Sequence, residues 1–307
     1  MIKRKTVFVL GAGASCPFGF PTGQGLRSII CGQLARGHLK SEMERLGYND
    51  KELGQFRLEF ERSAVTSIDA FLAMRPEFKE IGRRMIVAAL LPFQLEARLY
   101  RADDDHPGTS DWYQYLYQLM RDDARTPDDV VANPVTFLTF NYDKSLERFF
   151  LNAIRYGFGL EQAQAQQFVR RIKIHHVYGS LDASNIDTFR YEPFRSPTEM
   201  QQMAERLMVM PSERPEVDTV CREALEAAQS VFFLGFGYDE MNCLRLGTGQ
   251  VSGRVMLNQQ FRVGTGLDLT SSETNVAKQR VGWSDLSILP STCLDLLRDH
   301  VTRLIYA

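Results

Sequence analysis

The chain of 307 residues lacks a cysteine framework. Its five cysteines, Cys16, Cys31, Cys221, Cys243 and Cys293, are odd in number and widely spaced, with no CxxC pair. That speaks against a disulfide scaffold and against a zinc ribbon, and for a reduced, cytoplasmic protein. Long hydrophobic runs are missing too. Lys3, Arg4 and Lys5 precede an apolar stretch at residues 7–10, far shorter than the ~7 to 15 residues of a signal core. The longest other apolar run, residues 85–91, ends at Pro92 and falls short of the ~20 residues a membrane span needs. We therefore expect neither export nor membrane insertion by the chain's own signals. The third absence is a basic surplus: 36 Lys and Arg face 38 Asp and Glu, so no direct nucleic-acid binding is expected. With only five histidines and no cysteine close to them in sequence, no metal site is expected either.

What is present is a globular composition, 44% hydrophobic and 24% charged, at a length that suits one large α/β domain carrying an insertion. Four short β-branched and aromatic runs, residues 6–10, 135–139, 172–177 and 231–234, have the pattern of buried parallel strands, each followed by Gly, Asn or Asp. Helical periodicity fills the intervals, as in residues 144–156 and 215–229. The fold class this predicts is α/β: a Rossmann-like parallel sheet with helices on both faces.

The first two strands lie roughly 120 residues apart, against the 30 or so of a simple βαβ unit, so a helical insertion is expected at about residues 26–130. Its expected helices are residues 26–46, 68–100 with a break near Pro76, and 111–121, with a loop from Asp103 between the last two. Residues 181–198 and 247–253 read as further loops. Residues 254–258 and 261–263 read as edge strands, 273–281 as a helix and 291–305 as a closing helix.

Chemistry concentrates where strands end. Gly11-Ala12-Gly13-Ala14-Ser15 follows the first strand, where a glycine turn lets backbone approach a phosphate. As a dinucleotide fingerprint it is incomplete. Cys16 occupies the third glycine position, and Pro17, Gly19 and Pro21 forbid an immediate helix, which argues against an ordinary nicotinamide dehydrogenase. After the second strand come Asn141, Tyr142 and Asp143. One Asx residue suffices to cap the next helix, which leaves the Asn141 carboxamide as a surplus group able to order a ligand hydroxyl or water. After the third strand, alternation puts His176 and Tyr178 on one face and His175 on the other, where it would hydrogen-bond a covering helix. The fourth strand ends in Gly235 and Gly237, which allow a planar or phosphate group close to the backbone. Thr270 and Glu273 form a capping-box pair.

These motifs, in this order, resemble the sirtuin-like (silent information regulator) family, and more closely its bacterial NAD-consuming branch than its protein deacylases. The residues that carry the likeness are GAGAS and FGFP (11–15 and 18–21), TFNYD (139–143), HVYGSL (176–181) and LGFGYDEMN (234–242). The resemblance implies that Gly11, Ala12, Gly13, Ser15, Phe20, Pro21, Asn141, Asp143, Tyr178, Gly235 and Gly237 contact NAD. It implies that Asn141 positions a water or ribose hydroxyl and that a histidine is the general base. Relatives carry that histidine directly before Gly-Ser, where this chain has Tyr178, so either His176 reaches the ribose or Tyr178 takes its place. The zinc-binding cysteine pairs of the deacylases are missing.

The function expected is therefore an NAD glycohydrolase with catalytic Asn141 and His176, giving nicotinamide and ADP-ribose. NAD is the substrate and no prosthetic group is needed. The resemblance further implies an NAD-depleting effector of bacterial anti-phage defence. A freely active hydrolase would deplete its host, so restraint is expected from homo-oligomer assembly, a protein partner or a phage-derived trigger; the sheet and insertion are expected to leave no room for a sensor domain. The alternative is a non-catalytic module that binds NAD or an ADP-ribose derivative and regulates a partner.

Overall fold

The computed structural model describes residues 1–100, 111–182, 190–209, 215–249 and 260–306. Six strands, β1 (Thr6–Leu10), β2 (Val135–Thr139), β3 (Lys173–His176), β4 (Ser230–Leu234), β5 (Phe261–Thr265) and β6 (Ser287–Leu289), form one all-parallel sheet in the order β3-β2-β1-β4-β5-β6. β1 and β4 are buried along their whole length. In-register pairing places Phe8 between Phe137 and Phe232, with ring centroids 5.4 and 5.5 Å apart. That aromatic row is the centre of the core. Right-handed crossovers that wind one way through β1, β2 and β3 and the other way through β4, β5 and β6 put helices on both faces. The reversal point lies between β1 and β4, where open α/β sheets bind ligands at the strands' C-terminal ends.

Between β1 and β2 every described element is helical. The helix expected over residues 26–46 is two, Gly23–Gln33 and His38–Arg45, divided where Gly37 takes φ +153°. A further helix, Asp50–Arg62, was not anticipated, although its Asn49/Glu52 capping box was there to be read. The 68–100 segment is broken at Pro76 as expected, into Ile68–Met74 and Lys79–Leu90, and then continues only as short 3-10 turns. Trp112–Arg121 follows, capped by Asp111, and its Trp112 Nε1 donates to Ala14 O at 2.8 Å, which ties the insertion to the glycine turn. The loop expected at residues 103–111, apart from its last residue Asp111, and the strand expected at residues 254–258 lie outside the described residues.

Three other expectations need correction. β5 is not an edge strand, because it pairs with both β4 and β6; three-residue β6 is too short to show a period in the sequence. β3 is not a buried strand, since it sits at the end of the sheet and Lys173 is exposed. The closing helix is two pieces, Cys293–Asp299 and Thr302–Ile305. The Thr270/Glu273 capping box is present. Among the described residues no helix is long and apolar enough to cross a membrane.

Candidate active site

After β1 the chain cannot enter a helix, because Pro17 and Pro21 remove donors and Gly19 sits at φ +89°. It makes two 3-10 turns instead, Ala12–Ala14 and Cys16–Phe18, and only then the Gly23–Gln33 helix capped by Thr22. This detour opens a cleft over the C-terminal ends of β1, β2 and β4. The cleft has a main cavity of about 380 Å³ and a side lobe of about 90 Å³, joined through Ala12, Gly23, Asp69, Phe140, Asn141 and Tyr142. Ligand sites of this kind are concave, largely apolar and fitted with a few convergent polar groups.

Nine of the expected contact residues line it: Gly11, Ala12, Asn141, Tyr178 and Gly237 in or at the main cavity, and Ser15, Phe20, Pro21 and Asp143 at the side lobe. Gly13 and Gly235 do not. A Cβ on Gly235 would lie 2.0 Å from Ala14 N, and one on Gly13 2.9 Å from Gly235 Cα, so these two glycines let the β1 and β4 turns press backbone to backbone. Gly13 N–H donates to Gly235 O at 3.0 Å across that contact. Their glycine character is consumed by the fold before a phosphate can use it.

Asn141 is cross-linked to the turn after β1. Its Nδ2 donates to Gly11 O and to Ser15 Oγ, both at 2.9 Å, and since Gly11 O can only accept, the orientation of the carboxamide is fixed. What remains for a ligand is Oδ1, an acceptor for a hydroxyl or a water. Asp143 accepts from Ser145 N at 3.0 Å and from Ser145 Oγ, whose oxygen also pairs with Tyr113 OH at 2.7 Å. Burial raises the Asp143 pKa, partly offset by those Ser145 bonds. Its role is to anchor the end of β2 beneath the side lobe.

His176 does not reach the cleft. Its Nδ1 bonds Asn141 O at 2.9 Å and its Nε2 bonds Glu147 Oε1 at 2.8 Å. Burial lowers its pKa, but the Glu147 carboxylate and these hydrogen bonds outweigh that and the net direction is up. Both ring nitrogens are donors in the imidazolium form, and no lone pair is left to take a proton. His176 lines a separate cavity of about 180 Å³ with Lys144 and Glu147. Strand alternation does not carry past His176, because β3 ends there and Gly179, at φ +79°, turns the chain back. Tyr178, inside that turn, lines the cleft instead. It is 6% exposed, packs edge-on against Phe140, and its hydroxyl has no partner. Burial pushes its pKa far up, so the phenol is a donor and not a base.

The His176–Glu147 pair makes a testable contribution to stability. His176 is raised, so its share is fully present below the unfolded imidazole value of ~6.5 and fades as pH rises through the folded value. Glu147 is lowered: burial raises it, and His176 and Lys144 more than compensate, so its share fades as pH falls. In thermal melts the loss in Tm caused by His176→Gln is expected to be greatest between about pH 5 and 6.5 and to shrink toward alkaline pH. A loss that grows from pH 7 to 9 would contradict the assignment.

One residue that the motifs did not signal completes the cleft. Asp69, in the first turn of Ile68–Met74, lines both cavities, and its Oδ1 accepts from Tyr142 OH at 2.6 Å. Burial raises its pKa; the Tyr142 bond and its own backbone N–H pull the other way, and Asp239 adds to the rise. A buried carboxyl with a raised pKa in a ligand-sized cleft has the marks of a proton acceptor. It comes from the insertion, where helix periodicity was all that the sequence offered.

Among the described residues one set of side chains has metal-ligand chemistry. His175, Asp218 and Cys221 hold their ligand atoms within 4.8 Å of one another, because the fold brings Cys221 to the histidine although the sequence does not. His175 Nε2 bonds Asp218 Oδ2 at 2.9 Å, as expected of a contact to a covering helix, and Asp218 caps Thr219–Ala227. Arg245 Nη2 stands 3.6 Å from the same oxygen, and that positive charge opposes a cation there. Comparison with known protein families and with curated proteins yields no match to this chain.

Proposed function

We propose that the cleft binds NAD and hydrolyses its nicotinamide–ribose bond. The observation that carries this reading is the meeting of the Asp69 carboxyl and the fixed Asn141 carboxamide in one cavity at the sheet's reversal point. In the step envisaged, the C1′–N bond breaks and its electron pair returns to the pyridinium nitrogen, which leaves as neutral nicotinamide. The ribose carries the positive charge as an oxocarbenium-like species. A water held by Asn141 Oδ1 bonds to C1′, and its proton passes to the Asp69 carboxylate, giving ADP-ribose. The negative charge of Asp69 stabilises the oxocarbenium before it receives the proton. His176 acts at one remove, by holding the Asn141 carbonyl.

The motif order shared with the bacterial NAD-consuming branch of the sirtuin-like family supports NAD as the substrate, and with it an anti-phage effector in the cytoplasm, restrained by self-assembly, a partner protein or a phage-derived trigger. One observation favours the second reading, a module that binds NAD or an ADP-ribose derivative to regulate a partner: the imidazole of His176 is committed to Glu147 and Asn141, and the Tyr178 phenol stays protonated.

Incubation with NAD and chromatographic measurement of free nicotinamide separates the two. Hydrolysis is expected, and Asn141→Ala is expected to slow it about 10²-fold through loss of water positioning. Tight NAD binding by calorimetry without nicotinamide release supports the module. Neither binding nor release discards both.

A further inference from the structure

A dinucleotide brings two phosphates into the cleft, and the glycine turn is poorly equipped to receive them. The N–H groups of Gly11, Gly13, Ala14 and Ser15 already donate to Leu234 O, Gly235 O, Gly11 O and Ala12 O, at 3.0, 3.0, 2.9 and 3.1 Å. An anion nest in the backbone needs successive N–H groups that converge and are unengaged. These four are engaged.

Across the main cavity stands Arg280, in the last turn of Ser271–Val281. Its Nη1 donates to Tyr238 O at 3.3 Å, and among the described residues no carboxylate lies within ion-pair distance of it. Tyr238 is a buried non-glycine residue at φ +51°, with its own hydroxyl donating to Thr265 O at 3.0 Å, so the carbonyl that tethers the guanidinium is itself rigidly placed. One of five guanidinium N–H groups is used, and the others remain for a ligand. Tyr178, which is 6% exposed and whose buried hydroxyl has no partner, lines the same cavity and supplies a second donor. The Asp239 carboxylate, also in this cavity, accepts from Met241 N at 2.9 Å and Asn242 N at 3.3 Å. It repels phosphate and suits ribose hydroxyls, so anion binding falls to Arg280.

We propose that Arg280, assisted by the Tyr178 hydroxyl, holds the diphosphate of the ligand, in place of the glycine turn. This rests on the reading that the ligand is NAD or another ADP-ribose compound, and it identifies the residue that selects a nucleoside diphosphate over a nucleoside.

Calorimetry with ADP-ribose, and separately with nicotinamide riboside, which has no phosphate, tests it in wild type, Arg280→Gln, Arg280→Lys and Tyr178→Phe. Arg280→Gln is expected to weaken ADP-ribose binding about 10- to 100-fold, the loss of a charge-assisted hydrogen bond, and to flatten its salt dependence. Nicotinamide riboside binding is expected to stay the same, Arg280→Lys to recover part of the loss, and Tyr178→Phe to cost about 5-fold. Arg280 is exposed, so unchanged melting is expected and shows that the variant is folded. If wild type binds ADP-ribose and Arg280→Gln binds it equally well, the proposal is overturned while the ligand reading stands. If Arg280→Gln weakens both ligands alike, the arginine is not a phosphate group's partner and the proposal is again overturned. If wild type binds neither, the ligand reading fails and takes the proposal with it.

Discussion

Gly235→Ala is expected to leave little or no folded protein. The alanine methyl would sit 2.0 Å from Ala14 N and 2.3 Å from Gly13 C, both backbone atoms, and the residue is at φ +56°, where an L side chain is strained. No rotamer can relieve a Cβ. Either β4 moves away from β1, or the turn after β1 gives up its bond from Gly13 N to Gly235 O. The expected cost is on the order of 4 kcal/mol or more, a large part of the ~5 to 15 kcal/mol that holds a typical domain together. Gly237→Ala, two residues on in the same motif, is the control. Its Cβ would meet nothing within 4 Å, and it is expected to melt like wild type while narrowing the cleft it lines. Circular dichroism and soluble yield distinguish the two. Equal stability of both variants would mean that the turns of β1 and β4 do not pack as described.

The second large effect is on turnover. Asp69→Asn keeps the size of the side chain and removes the proton acceptor, and nicotinamide release is expected to fall ~10² to 10⁴-fold. The stability change runs the other way. Burial raises the Asp69 pKa, so the folded protein holds that proton more tightly than the unfolded chain, and stability falls as pH rises through the interval between the ordinary carboxyl value and the raised one. Asparagine does not ionise and avoids that loss. Tm at neutral pH is expected to be unchanged or higher in the variant, and its activity is expected to be lost at every pH. In wild type, kcat/KM is expected to rise with pH through the raised Asp69 value and then level off. Full activity in Asp69→Asn would remove the carboxyl from the mechanism.

How much of this was open to reading from the sequence depended on whether a feature was local. β1 and β2 match their expected ranges residue for residue, because short β-branched runs flanked by turn residues carry their own signal. The break at Pro76 and the capping box at Thr270 were legible for the same reason. The site divided differently. Asn141 was visible as a polar residue in excess of what a helix cap needs. The partner of His176 was not, since Glu147 faces it from the helix Ser145–Phe158 and the strand's alternation ends at His176 itself. Gly13 and Gly235 looked like ligand glycines because a motif shows that a side chain is missing without showing what fills the space. Asp69 had no local mark at all: it meets Tyr142 only when the insertion lies over the sheet.

The position of β1 has a consequence for biosynthesis. β1, made before the other five strands of the sheet, is central in it, with β2 on one side from residue 135 and β4 on the other from residue 230. As the chain emerges from the ribosome at ~5 to 20 residues per second, β1 has no neighbour until the insertion is complete and only one until β4 follows. Its four apolar residues must meanwhile be sheltered by the insertion helices or by a chaperone. The cleft takes its walls from Gly11 through Arg280, so no nascent chain shorter than that contains it.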